Sequence, residues 1–207
     1  MLKVEEILNN KGSKVLLSAV VIGSTYRSTW EKYSLPSWLR YCYRQGFSLA
    51  IVTEVDSSIE VKPTWYKYLV PSALDNTAIS YDYLAIIDAD QIISPIAPSL
   101  LESCEPKSIG IVPMIPNVEQ TLTARKLISF FRNVHLDSSY PLDSTMVGLQ
   151  QGDGQFGFNP FIGTTEISTG FYLVTKSMVT LFEKIFILSK KTGEFTGGGD
   201  QLLASRE

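Results

Sequence analysis

The sequence contains few cysteines. Cys42 and Cys104 are the only two among 207 residues. Two cysteines do not form the disulfide framework typical of small secreted proteins, so the sequence predicts a reducing compartment. We therefore expect a cytoplasmic protein.

Long apolar runs and clusters of basic residues are absent as well. The longest apolar runs are far shorter than the roughly 20 residues of a membrane-spanning helix, and residues 1–14 lack the apolar centre of a signal peptide. The 18 basic and 21 acidic residues give a net charge of −3. No run of Lys or Arg stands out, so the sequence does not support binding to nucleic acid or to anionic lipid.

The remaining composition is that of a globular protein, with 44% hydrophobic and 19% charged residues. A chain of this length can bury a sizeable core. We find no internal repeat and no domain boundary, and we predict a single domain over residues 1–207. Apolar runs that resemble buried strands alternate with helical patterns, which predicts an α/β fold with a mainly parallel sheet. The strands are expected at 15–22, 47–53, 84–88, 109–114 and 171–174, and the helices from 35 to Gly46, 63–74, 119–132 and 178–188.

Two segments break this rhythm. Ser24 to Arg27 is interpreted as a polar loop after the first strand. Residues 133–166 are rich in Gly, Ser, Asp, Gln and Pro and form an irregular excursion. Loops this long in a compact domain usually bind something or are disordered. Its phenylalanines are candidates for lining an acceptor groove: Phe156, Phe158 and Phe161.

Two acidic residues, Asp88 and Asp90, stand at the end of an apolar run in the sequence YDYLAIIDADQIISP. Side chains i and i+2 of a strand point the same way, so the two carboxylates are expected to converge, with Ala89 facing away. Ligands of open α/β sheets bind beyond the carboxyl ends of the strands. A divalent cation, which takes oxygen ligands, would neutralise the pair. Because such an ion often keeps substrate phosphates as further ligands, the motif indicates a site for a metal and a diphosphate. The alternative is that the aspartates cap a turn or the next helix.

A phosphatase of the haloacid-dehalogenase type is a second interpretation of the same motif, with Asp88 as the nucleophile. That family usually carries the motif on its first strand and needs a later pair of acidic residues four apart. Here the motif lies on the third predicted strand. Asp200 is followed four residues later by Ala204, so the sequence departs from that pattern.

Several segments together resemble the family-eight, glycogenin-like glycosyltransferases. Ser168 to Ala204 is similar to that family's strand, long helix and Gly-Gly-Asp-Gln turn, and the Asp88–Asp90 strand resembles its metal-binding strand. Lys67 lies where the family carries a lysine in the preceding helix. The N-terminal part, VVIGSTYRSTWEKYSLPSWLRYCYRQGFSLAIVTE, resembles a bacterial and algal group of proposed glycosyltransferases. The likeness covers roughly Leu16 to Leu203, without the excursion.

The resemblance implies the A-type glycosyltransferase fold, in which a Rossmann-like sheet flanked by helices binds a nucleotide-sugar and a divalent metal. Asp88 and Asp90 would then hold Mn²⁺ or Mg²⁺ and the diphosphate. Gly23 and Tyr26 would lie against the base and ribose, and Lys67 would reach the donor's phosphate or sugar.

The same resemblance implies contacts near the transferred sugar. Thr169 and Gly170 match the family's Asn/Ser-Gly position beside the donor sugar. Asp200 and Gln201 would contact sugar hydroxyls near the anomeric carbon and are the candidate catalytic residues. The implied reaction moves a hexose from a nucleoside diphosphate sugar, with UDP-sugars favoured, to a hydroxyl acceptor with retention of configuration.

One departure concerns the metal site. The family's third ligand is a histidine in a C-terminal segment, whereas this sequence ends at Glu207 before any such segment. The only histidine, His135, lies in the irregular excursion and is expected to be solvated. A truncated gene product is therefore one expectation, and a non-catalytic nucleotide-sugar-binding domain remains an alternative to the enzyme.

Overall fold

The structure, a computed structural model, describes residues 2–102 except 57, 60 and 62, together with residues 110–113 and 167–192. Its strands are β1 (Lys3–Leu8), β2 (Val15–Val20), β3 (Ser48–Glu54), β4 (Tyr83–Ile87), β5 (Gly110–Pro113) and β6 (Ile167–Thr175). Its α-helices are α1 (Ser24–Tyr33), α2 (Leu35–Gln45), α3 (Val70–Asp75) and α4 (Val179–Thr192). Short 3-10 helices cover Pro63–Leu69, Leu100–Glu102 and Lys176–Met178.

The six strands form one sheet in the order β1-β3-β2-β4-β6-β5. The centre of the sheet is parallel, since β2 pairs with both β3 and β4 in that sense. The flanking pairs β1–β3 and β4–β6 are antiparallel. The predicted α/β class, with a parallel sheet flanked by helices, is confirmed.

Helices α1 and α2 cover one face of the sheet. Trp30 and Trp38 are buried and meet edge to face, with ring centroids 6.0 Å apart. They pack in one cluster with Leu17 and Ala19 of β2. The two tryptophans therefore belong to the core on this face of the sheet.

An aromatic cluster joins the first 3-10 helix to β6 and α4. Tyr68, Tyr172 and Phe182 are buried, and their ring centroids lie 5.5–6.0 Å apart. The two tyrosine hydroxyls share a hydrogen bond of 2.8 Å. Trp65 packs on Tyr68 with a centroid separation of 5.6 Å. The cluster therefore anchors the 3-10 helix beside the sheet.

Two elements differ from the sequence prediction. Strand β1 was not predicted, because its alternating charged residues suit an exposed sheet edge and make no apolar run. Residues Ser24 to Arg27 form the first turn of α1, so the predicted loop is wrong. Gly23 adopts φ 88°, and its carbonyl accepts a hydrogen bond from the Arg27 amide at 2.9 Å, which starts the helix directly after the strand.

The chain separates into two compact units. The first comprises Met1–Ile111 and Gly170–Phe186, and the second comprises Val112–Thr169 and Ile187–Glu207. The predicted helix at 119–132 and the excursion at 133–166 lie outside the described residues, and the single domain stays a prediction. Among the helices that the structure describes, none has the length and apolarity needed to cross a membrane.

Candidate functional site

A pocket of about 420 Å³ lies in the first unit, at the carboxyl ends of β2 and β4. The chain runs from β2 to β3 on one side and then returns to β4 on the other side of β2. This reversal of strand order leaves a crevice in which open α/β sheets bind ligands. The residues that line the pocket are Val20, Ile22, Tyr26, Pro63, Thr64, Tyr66, Lys67, Ile87, Asp88, Ala89 and Asp90.

Both predicted metal ligands line this pocket, although the local geometry differs from the prediction. Strand β4 ends at Ile87, and the next residues form a turn closed by a 3.1 Å hydrogen bond from the Gln91 amide to the Asp88 carbonyl. The predicted alternation of side chains along a strand is therefore wrong here, and Ala89 lines the pocket as well. The turn, rather than an extended strand, brings Asp88 and Asp90 to the same pocket.

Lys67 carries a positive charge into the pocket from the 3-10 helix. Its Nζ lies 2.8 Å from Asp88 Oδ1. The Lys67 side chain is 9% exposed and that of Asp88 is 40% exposed. The neighbouring Trp65 and Tyr68 are buried, so the helix that carries the lysine is held firmly. The pair places an ammonium group with little access to water at the centre of the site.

Tyr26 lies on the first turn of α1 and reaches the same pocket. Burial, followed by the negative charges of Asp90 and Asp88, raises the pKa of its phenol above the usual value of about 10. The hydroxyl therefore stays protonated at neutral pH and can donate a hydrogen bond.

Of the other predicted site residues that the structure describes, Gly23 and Gly170 do not line the pocket. Gly23 precedes α1 and does not line it. Gly170 is buried in β6, where its carbonyl accepts a hydrogen bond of 2.9 Å from the Asp88 amide. Thr169 belongs to β6, but its side chain lies outside the described part of the structure. Asp200 and Gln201 also lie outside the described residues, so their roles stay predictions.

The charges in the pocket fit a divalent cation that keeps other ligands. Two carboxylates face one ammonium group, which leaves a local excess of one negative charge. Within residues 2–102, 110–113 and 167–192, no cluster of three Asp, Glu, His or Cys side chains is suited to hold a metal. Mg²⁺ often binds one or two carboxylates and completes its shell with water and phosphate oxygens. Asp88 and Asp90 fit that donor set.

Sequence reasoning missed part of the pocket. Val20 and Ile22, at the end of β2, form an apolar part of the pocket lining. In this region the sequence had indicated only Gly23 and Tyr26. Pro63, Thr64 and Tyr66 also line the pocket, although this segment was interpreted only as the start of a helix. The available signal was Lys67 itself, because a segment that contributes one residue to a site commonly contributes its neighbours.

Comparisons with known proteins give a match among solved structures. No family model matches the chain, and no curated protein matches it. A solved structure described as "crystal structure of a glycosyltransferase involved in the glycosylation of the major capsid of PBCV-1" aligns with 90% of this chain and 72% of that chain, with a TM-score of 0.51 and 10% sequence identity. The chain has a glycosyltransferase fold.

The glycosyltransferase fold agrees with the fold class expected from the sequence. It does not test the assignment to family eight, which stays a prediction. At 10% identity the likeness concerns the fold and does not identify the site residues. The assignment of roles therefore depends on the pocket itself.

Proposed function

We propose that this protein transfers a sugar from a nucleoside diphosphate sugar to a hydroxyl acceptor. The observation that carries the proposal is the pocket at the carboxyl ends of β2 and β4, where Asp88, Asp90, Lys67 and Tyr26 meet. The structural neighbour is described as a glycosyltransferase, which supports sugar transfer as the class of reaction.

Asp88 and Asp90 would hold Mn²⁺ or Mg²⁺ together with the donor's diphosphate. When bound, the ion supplies positive charge to the departing diphosphate. The excess negative charge in the pocket supports this role. In a pocket without it, a cation would give up water ligands with little electrostatic attraction in return.

Lys67 and Tyr26 would both act on the donor. The mostly buried ammonium of Lys67 would neutralise phosphate charge more strongly than an exposed lysine, because few water molecules screen it. The protonated Tyr26 phenol would donate a hydrogen bond to the donor. Val20 and Ile22 provide an apolar surface for the base or ribose.

In the transfer step, the bond between the anomeric carbon and the diphosphate oxygen breaks, and a bond from that carbon to the acceptor oxygen forms. The nucleoside diphosphate leaves with the electron pair, and the proton of the acceptor hydroxyl passes to the departing diphosphate oxygen. We propose retention of configuration, with Asp200 or Gln201 as the group nearest the anomeric carbon. The residue range 133–166 is the proposed acceptor side.

The direct test measures sugar release and transfer from UDP-sugars with and without Mn²⁺. We expect Mn²⁺-dependent turnover, and a loss of at least about 100-fold in the Asp90→Asn variant, consistent with the loss of a metal ligand. Asp82→Asn is the matched control, because Asp82 is an exposed aspartate just before the other end of β4. Equal turnover in Asp90→Asn and Asp82→Asn would remove the metal role.

A second candidate is a domain that binds nucleotide-sugars without transferring them. The described part of the pocket favours it in one respect, since it offers two metal donors and no third. Calorimetry that shows Mn²⁺-dependent UDP binding, combined with no sugar release from any donor tested, would select this candidate. Hydrolysis of generic phosphate esters through a phosphorylated Asp88 would instead select the phosphatase.

A further inference from the structure

One side chain outside the pocket holds the turn that carries the acidic residues. The Gln91 amide closes the turn onto the Asp88 carbonyl at 3.1 Å. Gln91 Nε2 donates to the Gly170 carbonyl in β6 at 2.9 Å. The carbonyl of Gln91 accepts a 2.9 Å hydrogen bond from the indole Nε1 of the buried Trp38 in α2. A single residue thus connects the turn to a strand on one side and to a helix on the other.

The Gly170 carbonyl accepts from both ends of the turn. Its first donor is the Asp88 amide at 2.9 Å, and its second is Gln91 Nε2 at the same distance. A carbonyl oxygen has two acceptor positions, so both bonds can form together. The two bonds pin the first and last residues of the turn to one atom, and Asp90 lies between them.

We propose that Gln91 is a positioning residue, which holds Asp88 and Asp90 in the geometry that binds a divalent cation and a diphosphate. The identity of these ligands rests on the proposed function. Side chains that orient metal ligands without touching the metal commonly change its affinity by 10- to 100-fold when they are replaced.

The chemistry at position 91 is restrictive. The Gly170 oxygen can only accept, so the side chain must present a donor of the right length. Gln91→Met keeps the length and carries no charge, but it lacks the donor. Gln91→Asn keeps the donor but is one methylene shorter. Both variants are expected to lose the hydrogen bond to the Gly170 carbonyl in β6. Gln91→Met loses it because the donor is removed, and Gln91→Asn because the side chain is too short.

A matched control exists at the opposite edge of the sheet. Asn10 Nδ2 donates to the Phe47 carbonyl at 2.5 Å, just before β3 begins. Asn10→Leu also removes one hydrogen bond between a side-chain amide and a backbone carbonyl. It therefore reports the general cost of such a bond, without affecting the acidic turn.

The experiment combines ligand binding with hydrogen exchange on the full chain. Titration calorimetry measures the affinity for Mn²⁺ and UDP of wild type, Gln91→Met, Gln91→Asn and Asn10→Leu, at a temperature where all are folded. Hydrogen–deuterium exchange follows the amides of residues 88–91. We expect both Gln91 variants to bind at least about 10-fold more weakly and to exchange these amides faster, whereas Asn10→Leu matches wild type in both.

The outcomes separate this inference from the proposed function. Unchanged exchange at residues 88–91 in both Gln91 variants overturns the inference, as does faster exchange combined with wild-type affinity. If wild type binds neither Mn²⁺ nor UDP, the proposed function fails in its ligands. The exchange rates of the amides of residues 88–91 then still decide whether Gln91 holds the turn. Exchange in the Gln91 variants no faster than in Asn10→Leu would contradict the inference.

Discussion

The ion pair between Lys67 and Asp88 makes an asymmetric prediction about stability. The lysine side chain is 9% exposed, whereas the aspartate side chain is 40% exposed. Asp88→Asn removes the carboxylate and leaves the mostly buried ammonium of Lys67. That ammonium then lacks both this ion pair and full hydration. Lys67→Met removes the ammonium and leaves a carboxylate that water can reach.

The exposures set the magnitudes. Removing one partner of a fully buried pair costs about 3–5 kcal/mol, whereas a fully exposed pair contributes about 0.2–1 kcal/mol. Asp88→Asn leaves the buried partner and is expected to reduce the free energy of unfolding by about 2 kcal/mol, within the range for a buried polar group that loses its partner. Lys67→Met leaves the hydrated partner and is expected to cost below about 1 kcal/mol. For a chain of this size, these values correspond to Tm decreases of roughly 4–8 °C and below roughly 4 °C.

Urea unfolding and thermal denaturation, both without nucleotide or metal, provide the measurement. Asp90→Asn is the control, because Asp90 is an exposed carboxylate in the same turn. Within the described residues no ion pair of Asp90 is found, so its replacement is expected to change stability by less than about 0.5 kcal/mol. Equal losses for Asp88→Asn and Lys67→Met, or a larger loss for the lysine variant, would refute the reasoning from exposure.

Four further predictions concern groups outside the pocket. Glu5 accepts two hydrogen bonds from Arg27, which lower the pKa of its carboxyl below the usual 4.5; Arg27→Met is therefore expected to lower the Tm at pH 7, and its difference from wild type should shrink as the pH falls through the lowered pKa of Glu5 in the folded chain. Gly46 ends α2 with φ 69°, so Gly46→Ala is expected to destabilise the protein by about 1 kcal/mol in urea unfolding and Gly46→Asn by less. Burial raises the pKa of the Cys42 thiol to about 12, so mass spectrometry should find Cys42 unmodified by iodoacetamide at pH 8 until the protein is unfolded. Burial and then the charge of Asp75 raise the pKa of Tyr81 to about 12. The contribution of Tyr81 to the free energy of unfolding is therefore fully present below about pH 10 and is lost as the pH rises towards about 12, and Tyr81→Phe should abolish that loss.

The central strands could be predicted because the local sequence indicates that they are buried. A parallel strand covered on both faces is a continuous apolar run, and such runs lie within one or two residues of β2, β3 and β4. The end of α2 was equally predictable, since Gly46 supplies the left-handed conformation that terminates a helix. These features depend only on neighbours in the chain.

Elements stabilised by distant contacts could not be predicted in the same way. The start of α1 has little apolar periodicity, and Arg27 on this helix bonds to Glu5 on β1, 22 residues away. The contact between Gln91 and Gly170 spans 79 residues. In neither pair does the local sequence around one residue indicate its distant partner.

The candidate site was predictable in place but not in detail. The rule that ligands bind at the carboxyl ends of strands correctly located Asp88 and Asp90 at a pocket. The reason given for their convergence was wrong, because the chain turns after Ile87. The pairing of Lys67 with Asp88 depends on the aromatic packing of Trp65 and Tyr68, which no short motif encodes.

The anchor of the acidic turn on β6 is a peptide oxygen, an atom that every amino acid contributes to the chain. Mutational drift along that strand can therefore replace side chain after side chain while the tether persists. The requirement for a particular residue therefore falls on Gln91, which supplies the side-chain donor, and not on the strand that supplies the acceptor.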